Sequence, residues 1–169
     1  SFEQVAHRLT TLSRPGKRGV PFFMLRIDSA GNVSKRFAAG KFPFSRFGGT
    51  CPRWNIHQAF QTPSRIITQI IETPDHQRYF TLARTLDKSL VGWEGEGHSE
   101  QAIGIGCELK YADKLIYAKG IDLSNPAAVE TGPMCRMCER ANCRERAAPP
   151  FAKTLNIDEW IKGVSAFPF

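Results

Sequence analysis

Three of the five cysteines fall within nine residues, in the stretch CRMCERANC. Cys135, Cys138 and Cys143 have the spacing C-x2-C-x4-C, and a C-x2-C turn lets two thiolates reach the same metal ion or cluster. A third cysteine a few residues further on can reach that centre after another turn. The segment around them is too irregular to bury the thiols as part of a hydrophobic core. The spacing therefore predicts a metal centre, either zinc or an iron–sulfur cluster.

A centre with four ligands needs one more donor. The histidines lie far from the motif in sequence, which favours a cysteine. We expect Cys107 to be the fourth ligand, because it stands where a predicted strand meets a predicted helix, whose N-terminus stabilises a thiolate. Cys51 is the alternative, on weaker forms of the same arguments. Four arginines surround the motif and can offset its negative charge or donate hydrogen bonds to sulfur: Arg136, Arg140, Arg144 and Arg146.

The formal net charge of +7 is concentrated in one part of the chain. Between Arg14 and Arg53 there are nine basic residues and one acid, Asp28, whereas the remainder is close to neutral. Such a block indicates a solvated basic face, a site for a polyphosphate ligand, or a nucleic-acid surface. Four aromatic residues interleave with the basic ones: Phe42, Phe44, Phe47 and Trp54.

The hydrophobic pattern predicts an α+β domain with an antiparallel sheet of about five strands, helices on one face, and an irregular cysteine-rich tail. Residues 20–40 read as a hairpin around an Ala-Gly-Asn turn, and residues 65–86 as a second hairpin with Pro74 and Asp75 in its turn. The stretch QAIGIGCEL is a fifth strand, whose glycines have room to admit a ligand or another backbone. Four residues of the second hairpin are expected to share one buried face: Ile67, Ile71, Phe80 and Leu82.

The opening stretch SFEQVAHRLTTL predicts a helix, since its apolar residues recur at helical spacing and Ser1 with Gln4 can form a capping box. It reads like the interior of a protein and not like a signal peptide. We therefore interpret residues 1–13 as a helix left from a preceding domain. Residues 14–120 form the α+β domain, and residues 121–169 the cysteine-rich segment with a C-terminal helix.

Further helices are predicted in CPRWNIHQAF, in KYADKLIYAKG with its stop at Gly120, and around Ile157, Trp160 and Ile161. The stretch VGWEGEGHSE reads as a polar, glycine-rich loop. No apolar run is long enough to span a membrane, and clustered thiols are typical of a reducing compartment, so we expect a cytoplasmic protein. The motifs G-x-S-x-G and H-E-x-x-H and the P-loop are missing from the sequence, and no catalytic residue is predicted.

Several blocks resemble the short-chain fatty acyl-CoA regulator family, in the same order along the chain: RGVPFFMLRIDSAGNVSKR, FGGTCPRWNIHQAF, IGCELKYADKLIYAKGIDL and CRMCERANCRERAAPP. These are bacterial transcription factors that control propionate, methylcitrate and glyoxylate-cycle genes. The resemblance implies a region that holds an acyl-CoA effector and a [4Fe-4S] cluster. It also implies that promoter DNA is bound by an N-terminal helix-turn-helix absent from this chain. We further expect a homo-oligomer.

An acyl-CoA site needs cations for the phosphates, an aromatic surface for adenine and an apolar space for the acyl chain. The candidate contacts are Arg18, Lys35, Arg36, Lys41, Arg46 and Trp54. Arg36 is the first choice, because it follows the glycine turn of the first hairpin, while Lys35 points to the opposite strand face. Two alternatives stay open: a zinc-stapled module that binds nucleic acid or protein, and an enzyme acting on CoA thioesters.

Overall fold

The main element of the fold is one β-sheet. The computed structural model describes residues 1–14, 16–46, 48–86, 99–158 and 160–169. Within them, β1 (Ser13–Arg14) and β2 (Lys17–Arg18) form a small ribbon of their own. The remaining described strands form the sheet: β3 (Phe23–Asp28), β4 (Val33–Ala38), β5 (Ile67–Glu72), β6 (Arg78–Thr85), β7 (Gln101–Glu108) and β8 (Val129–Glu130).

The order of the strands is β4-β3-β7-β6-β5-β8. The two predicted hairpins are present, and β7 lies between them, antiparallel to β3 and to β6. Strand β8 pairs in parallel with β5, with Val129 opposite Ile71. The α+β class is confirmed, but the antiparallel sheet of about five strands is corrected to a mixed sheet of six described strands. The two-residue β8 offers too little periodicity to be recognised from the sequence.

The turn of the first hairpin follows from its polar residues. The carboxylate of Asp28 accepts hydrogen bonds from the backbone N–H and the side-chain amide of Asn32, both at 2.9 Å. Gly31 has φ 85°, in the left-handed region that glycine adopts without strain. The Ala-Gly-Asn turn is thus confirmed.

Both faces of the sheet are covered, which corrects the prediction of helices on one face. Helix α1 (Phe2–Thr11) packs on the face that carries Phe80 and Leu82. Helix α2 (Asn55–Gln58) packs on the other face, where Ile71 is buried. The prediction that the four apolar residues of the second hairpin share one buried face is therefore wrong. Strand β6 alternates between the two cores, and the register sets Ile70, not Ile71, opposite Phe80.

The glycines of β7 make room for neighbouring parts of the protein. A Cβ at Gly106 would lie 2.6 Å from the ring of Phe23 and 2.7 Å from the carbonyl oxygen of Phe80. The predicted close approach at this strand is thus made by a ring and a backbone of the same chain.

The helix predictions have mixed outcomes. The α1 capping box is present, with Gln4 N–H donating to Ser1 Oγ at 3.3 Å and the Gln4 side chain accepting from Ser1 N at 2.7 Å. The helix predicted to end at Gly120 is instead two 3-10 turns, Leu109–Lys114 and Ile116–Ala118, and the expected apolar contact Ile116 is exposed. Residue Leu115 between the turns is extended, so the helical spacing is broken there.

The predicted C-terminal helix is not found among the described residues 154–158 and 160–169. The apolar residues around which it was predicted are exposed, with Trp160 at 94%, so they supply no buried face that would stabilise a helix. The glycine-rich stretch VGWEGEGHSE lies mostly outside the described residues. The division into 1–13, 14–120 and 121–169 stays a prediction, although α1 packs directly on the sheet. No described helix is long and apolar enough to cross a membrane.

Candidate functional site

The first two cysteines of the motif are joined by a tight turn. Cys135 starts the 3-10 turn Cys135–Met137, and the N–H of Cys138 donates to the Cys135 carbonyl at 3.3 Å. Cys138 is buried, while Cys135 and Cys143 are partly exposed. The backbone N–H of Ala147 donates to the Cys135 sulfur at 3.3 Å, a contact that stabilises a thiolate.

Cys51 lies beside this turn, although it is distant in sequence. It is 7% exposed and precedes α2, where Trp54 N–H donates to its carbonyl at 3.1 Å. Burial raises the pKa of the Cys51 thiol, and the charges that Cys135 and Cys138 carry as thiolates raise that pKa further. The backbone N–H groups of Gly132 and Arg53 act in the opposite direction. The Cys51 sulfur therefore lies within electrostatic range of the other two.

Gly132 contacts both Cys51 and Cys138. Its N–H group is directed at Cys51, and a Cβ at this position would lie 2.7 Å from the Cys138 sulfur. Only a residue without a side chain leaves the Cys138 sulfur where it is. The sequence reasoning did not single out this glycine, because its role depends on two cysteines from different parts of the chain.

Cys107 lies elsewhere. It is fully buried on β7, opposite Phe80, in the core that α1 covers. Burial raises the pKa of its thiol to about 12, and the nearby charges of Glu108 and Asp113 add to the effect. The structure does not bring Cys107 to the other cysteines, in contrast to the predicted ligand set. Strand β7 ends one residue later, at Glu108, and a 3-10 turn begins at Leu109, so the predicted junction is present, but the Cys107 side chain is buried in the core.

Two arginines fasten the cysteine-rich segment to the sheet. Arg140 donates to the carbonyls of Glu72 at 3.1 Å and Thr131 at 3.4 Å, and pairs with Glu130 at 2.9 Å. Arg53 from the Cys51 turn reaches Glu130 at 3.7 Å, and Glu145 of the segment at 3.5 Å. These polar contacts replace the hydrophobic core that the segment lacks.

Cysteine sulfurs are suitable ligands for a metal centre, but in this structure they lie further apart than the ligands of a metal-bound site do. Within the described ranges, no three Cys, His, Asp or Glu side chains stand close enough together to hold a metal ion as they are. Backbone N–H groups donate to the sulfurs of Cys51 and Cys135, and a buried cation, Arg146, donates to the carbonyl oxygens of Cys135 and Cys138. Neighbouring thiolates repel one another unless a cation binds between them, so these residues suit a metal that keeps them deprotonated.

The predicted ligand contacts in the basic stretch do not converge on one place. Lys35 faces α1 and pairs with Glu3 at 2.8 Å, whereas Arg36 lies on the other face and donates to the carbonyl of Ser45. Lys41 and Arg46 are exposed. The side chain of Arg18 lies outside the described residues. Trp54 is 4% exposed, inside an aromatic cluster with Phe23 and Phe42, so it offers no open surface for adenine.

An apolar cavity of about 440 Å³ lies between α1 and the sheet. Its lining includes side chains from the helix, the sheet and the segment after β7, chiefly Phe2, Val5, Leu9, Phe22, Leu82 and Leu115. Three cations stand around the N-terminal turn of α1, and one of them, Arg84, also lines the cavity. Arg26 and Lys35 pair with Glu3 at 3.0 and 2.8 Å, and the Arg84 guanidinium lies 5.7 Å from the ring centroid of Phe2.

This cavity was not foreseen from the sequence. The signal that was available is the apolar stripe of α1, which was assigned to a preceding domain and so not considered as the wall of a pocket. The cavity combines a mainly apolar lining with one cation, Arg84, which suits a ligand that has a short hydrocarbon part and an anionic part.

Comparison with known proteins gives consistent matches. A protein-family model described as "Short-chain fatty acyl coenzyme A regulator, C-terminal" matches residues 11–167. The chain is 48% identical over 164 residues to the "Propionyl-CoA carboxylase regulator" of Cereibacter sphaeroides, covering 97% of this chain and 35% of that protein. It is 46% identical over 170 residues to the "HTH-type transcriptional regulator RamB" of Mycobacterium tuberculosis, covering 99% of this chain and 36% of the relative.

A third relative is the "HTH-type transcriptional regulator PrpR" of Mycobacterium tuberculosis, 45% identical over 94% of this chain and 32% of its own length. A solved structure named "Mycobacterium tuberculosis transcriptional regulator" matches with a TM-score of 0.88 and 42% identity, over 98% of this chain and 50% of that one. The chain thus spans about a third of the length of the curated relatives it matches. The predicted family is confirmed: this chain belongs to the short-chain fatty acyl coenzyme A regulators and corresponds to their C-terminal region.

Proposed function

We propose that this chain is the effector-sensing region of a transcriptional regulator of propionate and short-chain acyl-CoA metabolism, and that it holds an acyl-CoA and a [4Fe-4S] cluster. The observation that carries the proposal is the meeting of Cys51 with Cys135 and Cys138 around Gly132. The names of the relatives support the regulatory role, since each is called a regulator. Promoter DNA is then bound by a helix-turn-helix outside this chain.

The cluster ligands in this proposal are Cys51, Cys135, Cys138 and Cys143. Cys51 replaces Cys107, because only Cys51 stands beside the motif. When bound, the cluster supplies a redox-active centre that also fastens the cysteine-rich segment to the sheet. The protein stabilises the thiolates with hydrogen bonds from backbone N–H groups. Gly132 and Arg53 donate to Cys51, and Ala147 donates to Cys135. Such donors lower the cost of keeping thiolates together.

The acyl chain in this proposal occupies the cavity between α1 and the sheet. A short acyl chain buries its surface against Phe22, Leu82 and the apolar side of α1. The phosphates of CoA then lie outside, near the cations that surround the N-terminal turn of α1. Lys35 belongs to this group, whereas Arg36 lies on the opposite face of the sheet. This choice reverses the preference for Arg36 that the sequence suggested.

Native mass spectrometry of anaerobically purified protein tests the cluster and the ligand together. We expect one [4Fe-4S] cluster on each chain, and one further bound molecule when propionyl-CoA is added. If the chain carries one zinc ion instead, the cluster assignment is wrong and the site is a structural zinc site. Release of free CoA from propionyl-CoA would instead support the enzyme alternative.

The position of the ligand is tested by calorimetry with propionyl-CoA on matched variants. Lys35→Ala should weaken binding about tenfold or more, because it removes a charge-assisted phosphate contact. Arg36→Ala, one residue away and on the other face, serves as the control. Leu82→Trp should abolish binding by filling the cavity. Loss of binding in Arg36→Ala alone would place the ligand on the other face and refute the cavity assignment.

A further inference from the structure

One arginine joins several parts of the cysteine-rich segment. Arg146 is 5% exposed, and its Nη1 donates to the carbonyl oxygens of Cys135 and Cys138, both at 3.1 Å. Its Nη2 donates to the carbonyl of Arg140. The guanidinium also lies 5.0 Å from the ring centroid of Phe169. A single side chain therefore fixes the turn of the first two cysteines relative to the chain that leads to Cys143.

The charge of this side chain is not balanced by an acid. In the part of the chain that the structure describes, Arg146 makes no ion pair, and its Nε is buried without a hydrogen-bond partner. Arg140 and Arg53, by contrast, each pair with Glu130. A buried charge without an opposite charge is strongly destabilising. The guanidinium contacts the carbonyls of Cys135 and Cys138, so a negative centre held by their sulfurs would belong to the same turn.

We propose that Arg146 is a positioning residue for the cluster, which acts through both its shape and its charge. The planar guanidinium holds three carbonyls at once, so the cysteine turn keeps the form that a cluster needs. The buried positive charge offsets that of the thiolates, which favours the loaded form. This inference rests on the proposed function, because it takes the four thiols as ligands of a [4Fe-4S] cluster.

Three variants separate shape from charge. Arg146→Lys keeps the charge and loses the planar fork, and Arg146→Gln loses the charge as well. Arg144→Gln removes the same type of side chain from an exposed position in the same segment and is the matched control. Iron and sulfide content and the rate of iron loss to a chelator are measured after anaerobic purification. Circular dichroism of the metal-free proteins confirms that the sheet is intact.

We expect Arg144→Gln to behave like the wild type. Arg146→Lys should lose iron about tenfold faster, as is usual when a group that supports a metal ligand is removed, and Arg146→Gln faster still. The cluster that remains in Arg146→Gln should have a more negative midpoint potential, because a buried cation is lost, whereas Arg146→Lys should stay near the wild type.

Several results would overturn the inference. Iron retention in Arg146→Gln equal to that in Arg144→Gln would remove any role for the side chain. Equal rates of iron loss in the Lys and Gln variants would overturn the contribution of charge. Wild-type protein without iron would refute both the cluster and this inference. Wild-type protein with iron and unaffected Arg146 variants would refute the inference alone.

Discussion

Replacing Cys51 and Cys107 in parallel tests the ligand set most directly. Cys51→Ser should lower iron retention by at least about tenfold, more than the loss of a supporting residue, since it removes a ligand of the cluster. The metal-free protein should change less in stability than with Cys107→Ser, because the buried Cys51 side chain lies against the backbone N–H groups of Gly132 and Arg53, which can donate to a serine oxygen. Cys107→Ser should keep its iron and lose stability instead.

The expected loss of stability follows from the surroundings of Cys107. Its side chain is fully buried on β7, beside Phe80 and Ala112. A serine hydroxyl in this apolar core has no partner to donate to, which costs about 1–3 kcal/mol. For a domain of this size, that loss lowers the melting temperature by about 2–12 °C. Cys107→Ala avoids the buried hydroxyl and should recover part of this loss.

The assay combines iron content, visible absorption and thermal unfolding on the same anaerobic samples. Cys143→Ser provides a positive control for loss of the cluster. The reasoning is refuted if Cys107→Ser loses iron while Cys51→Ser keeps it. It is also refuted if Cys51→Ser retains a cluster with normal iron and sulfide content. Cys51 would then not be a ligand, despite its position beside the cysteine motif at Gly132.

Three further predictions follow from the same structure. Gly132→Ala should displace the Cys138 sulfur, because its Cβ would lie 2.7 Å away, and visible absorption should show at least a partial loss of the cluster. The hydrogen bond from Lys35 lowers the pKa of Glu3, so this contact stabilises the fold at neutral pH and is lost as the pH falls through the pKa of Glu3. Acid titration of unfolding should accordingly be less steep in Glu3→Gln, and an unchanged titration would contradict it. The pKa of Cys107 is about 12, so this thiol should resist alkylation at mildly alkaline pH until the protein unfolds, as mass spectrometry can follow.

The sequence was sufficient for features that depend on neighbouring residues. The hairpin turn at Gly31 and the capping box of Ser1 are set by local hydrogen bonds, and both are present. The C-x2-C turn is local too, and it forms as expected at Cys135. The family was identified for a related reason, since its motifs are contiguous blocks of chain.

Features that depend on distant residues were missed or misplaced. The choice between Cys51 and Cys107 depends on which face of the sheet Cys107 occupies and on which distant segment packs beside the cysteine motif, and neither is written in the neighbouring residues. The face of Ile71 was misassigned, since a shift of one residue in register moves a side chain to the other core. The cavity under α1 required the packing of a helix on the sheet, which its amphipathic pattern predicts only in general terms.

The meeting of Cys51 with the cysteine-rich segment also has a consequence for the folding of the chain. A centre bound there ties together two points about 80 residues apart, much as a disulfide would. In the chain-entropy description of such a cross-link, closing a loop of this length removes unfolded-state freedom equivalent to about 4–5 kcal/mol. Between the two ends lie β5, β6, β7 and β8, so the cross-link encloses four of the six described strands of the sheet. Loss of such a centre would therefore lower the stability of the part of the sheet that it encloses.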